Sequence, residues 1–214
     1  ERERERGKEI EGGSEDDLVV VLSRVGNQFE HAPAALRSVS VADVCVFVDP
    51  VDGTKEFVKR NGEFTVNIAL IKDGLPIAGI VYAPTKETYW YGAEGLGSYK
   101  MSENFPPIRI SVENNIDSPI RIVSSRSHPS PKLELYLSRF DDYEMVNMGS
   151  SLKICLVADS SAHIYPRLGP TMEWDSGAGH AVLKFAGGEL IDRETGKELI
   201  YNKKILKNPD FICY

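Results

Sequence analysis

The sequence predicts an α/β protein, an α+β layered sandwich with an antiparallel sheet in its first half and a helix-covered α/β sheet in its second. Three observations carry this prediction. Residues 65–71 and 76–82 are apolar runs joined by Lys72-Asp73-Gly74, the pattern of a β-hairpin. From residue 120 onward, strand-like and helix-like stretches alternate, which calls for a sheet covered by helices. Finally, the helix-patterned run 173–185 ends at Gly187-Gly188, a C-terminal stop.

The elements follow in order. Residues 44–48, Val-Cys-Val-Phe-Val, form a strand apolar on both faces, as expected deep in a core. After the hairpin, residues 88–91 and 97–100 extend the meander, with Gly95 and Gly97 suited to the turn between them. Residues 108–112 alternate with period two and read as an edge strand. In the second half, strands are expected at 120–123, 143–147, 162–165, 189–191 and 211–213. Helices are expected at 131–140, which has a proline at its start, at 150–159 and at 173–185. Three segments result: an atypical N-terminal stretch, 1–43, truncated or divergent; an antiparallel-sheet subdomain, 44–118; and an α/β subdomain, 119–214.

With 214 residues, 42% of them hydrophobic, the chain can bury a substantial core. A net charge of −7 argues against binding a nucleic-acid polymer, which needs a basic surface, but leaves room for a local cationic site. The three cysteines show no CxxC spacing, and Cys45 and Cys155 lie in apolar runs, as reduced core residues do. No apolar stretch approaches the roughly 20 residues needed to span a bilayer, and the opening Glu/Arg run is the reverse of a signal peptide. The expectation is a soluble cytoplasmic protein; monomer and homodimer both stay open.

The chemistry concentrates at "DPVDGTKEF", residues 49–57. Pro50 fixes φ and Gly53 frees it, so Asp49 and Asp52 are expected in one tight turn at the carboxyl end of a buried strand, where ligands sit in α/β sheets. Two close carboxylates share a proton or bind a cation, and oxygen-only donors favour Mg²⁺. The plain reading is a turn in which Asp only caps. A third carboxylate, Asp175, opens the small-residue helix Ser176-Gly177-Ala178-Gly179, whose surface lets a backbone or ligand approach closely; it too reads as a cap or as a ligand.

These stretches resemble a known family. "DPVDGTKEF" and "EWDSGAGHAVLKFAGG" (173–188) are similar to the paired motifs of the inositol monophosphatase superfamily of metal-dependent, lithium-sensitive phosphatases. "KRNGEFTVNIALI" (59–71), "SRSH" (125–128), "GSSLK" (149–153) and "YPRLGPT" (165–171) look like the 3'(2'),5'-bisphosphate nucleotidases, closest to the bacterial branch. The resemblance implies two or three Mg²⁺ ions held by Asp49, the Val51 carbonyl, Asp52 and Asp175. It implies that Thr54 orients the attacking water, with Asp49 catalytic beside it, and that Gly53 and Thr54 amides cradle the scissile phosphate. Lys153 and Arg167, with Ser150 and Ser151, would hold the second phosphate, and Ser127 and His128 the nucleoside. A further metal carboxylate has two textual counterparts, Glu15 and Glu30. The implied substrate is a small nucleotide bisphosphate, adenosine 3',5'-bisphosphate, cleaved at its 3'-phosphate to give AMP. The other readings are an inositol monophosphate or sugar bisphosphate phosphatase, or a catalytically impaired nucleotide- and metal-binding remnant. His180 reads equally as a structural residue and as a base contact.

Overall fold

A computed structural model of the chain describes residues 44–102, 104–113, 119–125 and 131–214. The first half is a six-stranded antiparallel sheet in sequential order: β1 (Val44–Asp52), β2 (Thr65–Lys72), β3 (Leu75–Ala83), β4 (Thr88–Ala93), β5 (Gly97–Ser102) and β6 (Ile108–Ile110). The expected hairpin closes at Asp73 and Gly74, with φ of 52° and 79°. Two consecutive positive φ values make the turn type whose twist matches its strands.

Strands also form in the second half, the one expected at 162–165 falling instead at 165–167, and they divide between two small sheets. β7 (Ile120–Ser125) and β8 (Tyr143–Met148) pair in parallel, with α2 (Pro131–Leu137) between them in sequence. β9 (Tyr165–Arg167), β10 (Leu190–Asp192) and β11 (Phe211–Cys213) form an antiparallel set in the order β10-β11-β9. Two helices position the site: α3 (Leu152–Ala158) and α4 (Glu173–Phe185). One short helix, α1 (Thr54–Lys59), follows β1 directly and was not expected from the sequence.

The small residues of α4 meet small residues of the sheet. Gly79 and Gly92 are cross-strand partners on β3 and β4. A Cβ on Gly79 would lie 2.7 Å from the Ala178 carbonyl, and one on Gly92 3.2 Å from that of Ala181. The helix therefore lies with its backbone against the sheet, and Ser98 Oγ donates 2.7 Å to the Val182 carbonyl. On the other side a Cβ on Gly179 would lie 3.0 Å from the Ile154 side chain of α3. One core results, joining Phe47, Ile71 and Val81 of the sheet to Ile154, Val182 and Phe211. The cysteines are free thiols: Cys155 and Cys213 are buried and Cys45 half-buried. Among the described residues no helix is long and apolar enough to cross a membrane.

Candidate active site

The end of β1 departs from the expected tight turn. The strand runs on to Asp52 through a bulge: Asp49 faces Asn67 and Asp52 faces Thr65, so Pro50 and Val51 oppose Val66 alone. Proline has no N–H for the ladder, which suits it to such a bulge. The extra residue has a chemical consequence. Side chains alternate along a strand, so residues three apart point to opposite faces; one inserted residue returns Asp49 and Asp52 to the same side. Gly53, at φ 83°, then turns the chain into α1.

Asp175 arrives from the first turn of α4. Asp49, Asp52 and Asp175 each offer a carboxylate oxygen, and the three oxygens lie within 4.8 Å of one another. Each carboxylate is also held from behind. Val51 N–H donates to Asp49 Oδ1 at 3.1 Å. Ser151 N–H donates to Asp52 Oδ2 at 2.5 Å, and Thr65 Oγ1 reaches the same oxygen at 3.4 Å. Met172 N–H donates to Asp175 Oδ2 at 2.8 Å. Cap and candidate ligand are thus one residue, since a carboxylate has acceptor sites for both.

Burial, and then the Asp52 charge, push the Asp175 carboxyl up to about 6. Burial also raises Asp52, against the attraction of Lys153. Lys153 is 4% exposed, and its Nζ donates to the Ser150 carbonyl at 2.5 Å. Burial lowers its ammonium to about 8, opposed chiefly by Asp52. Arg167 donates through Nη2 to the Pro170 carbonyl at 2.7 Å, and its buried Nε meets no partner among the described residues. Lys153, Arg167, Asp52 and Asp175 line one cleft of about 120 Å³, with Gly53, Ser150 and Ser151.

The donor set fits a hard divalent cation: oxygen only, three carboxylates crowded together, and a raised proton affinity that a metal charge would relieve.

Of the other expected site residues, Thr54 opens α1 and is exposed, and Val51 is half-buried within the bulge. Glu15, Glu30, Ser127 and His128 lie outside the described residues. His180 is buried, with Nδ1 3.0 Å from Tyr201 Oη and Nε2 3.3 Å from Glu198 Oε1, which makes it part of the core. Sequence reasoning missed two buried glutamates. Glu56 of α1 lines the cleft, its Oε2 3.3 Å from where a Gly53 Cβ would stand. Glu63 accepts the Gly149 N–H at 2.8 Å and so fixes the turn carrying Ser150 and Ser151. The signal for Glu56 lay in the Gly53-to-Glu56 spacing of a helix start; Glu63 had none, because its partner is 86 residues away.

Residues 20–213 match the profile of the inositol monophosphatase family, and the chain belongs to that family. Among its relatives are the 3'(2'),5'-bisphosphate nucleotidases CysQ of Salmonella typhimurium strain LT2 and Escherichia coli strain K12. They are 46% and 47% identical to it over 165 residues, 77% of this chain. The chain spans 65% of the length of those relatives. A solved structure of CysQ from Bacteroides thetaiotaomicron, a bacterial member of the family, is 40% identical with a TM-score of 0.74, covering 86% of this chain and 74% of that one. Mycobacterium tuberculosis SuhB shares the fold at 21% identity and a TM-score of 0.64, covering 79% of this chain and 66% of that one.

Proposed function

We propose that this chain carries the activity of a Mg²⁺-dependent phosphatase that hydrolyses the 3'-phosphate of adenosine 3',5'-bisphosphate, giving AMP and inorganic phosphate. The observation that carries the reading is the sign change across one small cleft. Asp52 and Asp175 line it, with Asp49 grouped beside them, and two cations, Lys153 and Arg167, line it as well. A cation bound by the trio would take one phosphate, and the Lys153–Arg167 wall would take the other. A substrate with a single phosphate leaves the Lys153–Arg167 wall without a phosphate to balance two buried or half-buried cations. The names of the relatives at 46–47% identity point to the same substrate class.

Asp49, Asp52, Asp175 and the Val51 carbonyl would hold the metal. Two or three bound Mg²⁺ ions would lower the pKa of a water and neutralise charge on the transferred and leaving oxygens. The chain's own residues do the rest. The Gly53 and Thr54 amides aim at the scissile phosphate, and Thr54 orients the water. Arg167 binds the second phosphate through its planar fork, Lys153 as a point charge, with Ser150 and Ser151 alongside. The bulge at Pro50 and Val51 keeps Asp49 and Asp52 on one side for this purpose.

The test is phosphate release by the full chain with Mg²⁺ across four substrates: adenosine 3',5'-bisphosphate, 3'-AMP, inositol 1-phosphate and fructose 1,6-bisphosphate. The nucleotide bisphosphate should turn over fastest, only with Mg²⁺, and more slowly with millimolar lithium. Faster turnover of the inositol or sugar phosphate would replace this substrate with that one. Calorimetric binding of the nucleotide without any hydrolysis would identify a binding remnant.

A further inference from the structure

The residue at the N-terminal boundary of α4 is Met172, whose side chain cannot accept a hydrogen bond well. Helix N-termini leave N–H groups unpartnered, and Ser, Thr, Asp or Asn usually stands at the boundary to take one. Here the partners come from elsewhere in the chain, and Asn208 among them is a donor that ties down the acceptors of this turn rather than its N–H groups. Asn208 is 4% exposed, and its Nδ2 faces three acceptors: Ser176 Oγ at 2.8 Å, the Met172 carbonyl at 2.9 Å and Thr171 Oγ1 at 3.3 Å. Its backbone N–H donates to the Thr171 carbonyl at 2.9 Å. Next to it Glu173 N–H donates to the Leu206 carbonyl at 2.9 Å, and Met172 bridges Lys207. The fully buried Glu173 carboxylate accepts the Asn202 and Lys203 N–H groups and the Lys203 ammonium.

The segment 202–208 is therefore strapped across the start of α4, and Asn208 is its innermost link. Met172 is held on both sides. Its carbonyl accepts from Asn208 and from Asp175 N–H, at 3.1 Å, while its own N–H holds Asp175 Oδ2. Thr171 and Ser176, the other two acceptors, line the same cleft as Asp52 and Lys153. Releasing Met172 would leave the Asp175 carboxylate free to rotate away from Asp49 and Asp52.

We propose that Asn208 is a positioning residue for Asp175, which it fixes through Met172, and that it thereby sets the affinity of the acidic trio for a divalent cation. The inference rests on the metal-dependent reading above. The two are separated by titrating Mn²⁺ alone, without substrate, into the full chain by calorimetry. Asn208→Ala should bind Mn²⁺ about tenfold or more weakly, the range for partners that orient a metal ligand. Asn208→Ser, which keeps one donor, should fall between. Leu199→Ala removes a buried core side chain that belongs to neither 171–176 nor 202–208, and it should keep native affinity at a comparable loss of Tm. Native affinity in Asn208→Ala, or an equal loss in Leu199→Ala, overturns the positioning role. If Asn208→Ala does not fold, Asn208→Ser is held to the same comparison. An unmodified chain that takes up no Mn²⁺ overturns the metal reading itself and this inference with it.

Discussion

Asp175 combines two duties usually found apart: one oxygen closes the first turn of a helix, and the group stands within 4.8 Å of two other carboxylates. The arrangement has a cost in the absence of a cation. Burial and Asp52 raise the carboxyl to about 6 from an ordinary 3.8, a difference worth on the order of 1–3 kcal/mol at neutral pH. Asp175→Asn keeps an acceptor for Met172 N–H and removes the charge. It should raise the Tm of the chelated protein by a few degrees while abolishing Mg²⁺ uptake. Thermal melts with EDTA and with Mg²⁺ check this; a lower Tm in EDTA would mean the trio is not under repulsion. Lys153 is read in the same way. Lys153→Met should raise KM for the bisphosphate at least about tenfold and leave a monophosphate nearly unchanged, because one buried charge–phosphate contact is worth at least ~1.4 kcal/mol. Steady-state kinetics on the two substrates decide it.

Glu198 receives the ammonium of Lys184, on α4, at 2.7 Å and faces His180 Nε2 at 3.3 Å. Those partners, His180 foremost, hold its carboxyl down to about 2, and burial lowers His180 below the ordinary histidine value. Both shifts have the same sign for stability. Each group binds more protons unfolded than folded, so stability is present at neutral pH and drains away on acidification. His180 contributes to the decline as pH falls through about 6.5, Glu198 as it falls from about 4.5 toward 2. Glu198→Gln should therefore flatten the Tm profile between pH 5 and 3. Parallel profiles for the two proteins would remove Glu198 from the account.

At the scale of elements, the distance between α4 and the sheet is set by glycine. A methyl on Gly79 would press against Ala178 at 2.7–2.9 Å and Ala181 at 2.8 Å, with backbone that cannot swing aside. Gly79→Ala should lower stability by roughly 1–3 kcal/mol, the usual cost of overpacking. Because α4 carries Asp175, metal affinity should fall with it. Denaturant unfolding measures the first and a Mn²⁺ titration the second; unchanged stability would mean the helix has room to move. The apolar runs and the Asp-Gly turn made the strands of the first half legible in sequence, because those signals are local. The α1 helix was not legible. Its six residues, Thr-Lys-Glu-Phe-Val-Lys, are too few to show a period, and they form because Gly53 turns the chain at positive φ. The bulge stayed hidden for another reason: it exists only in register against β2, which no stretch of β1 alone reveals.

Across the whole molecule, the cleft is drawn from distant parts of the chain. The acidic turn comes from β1, Lys153 from α3, Arg167 from β9 and Asp175 from α4, all anchored in one core. The proposed site residues were named from the sequence in two ways: Asp49, Asp52 and Asp175 as carboxylates beside proline, glycine and small residues, and Lys153 and Arg167 through the family resemblance. The residues that hold them in place, Glu63 and Asn208, were not, since each makes its decisive bond to a partner 36 or 86 residues away. The central claim is that this folding brings a divalent cation and a nucleotide bisphosphate together between Asp49, Asp52 and Asp175 and the Lys153–Arg167 wall. A crystal of the chain soaked with Mn²⁺ and adenosine 3',5'-bisphosphate, with anomalous scattering recorded at the manganese edge, tests it most directly. The predicted result is a manganese peak among the three carboxylates, with one phosphate beside it and the other against Lys153. A carboxylate trio without manganese while the ion binds elsewhere would contradict the account.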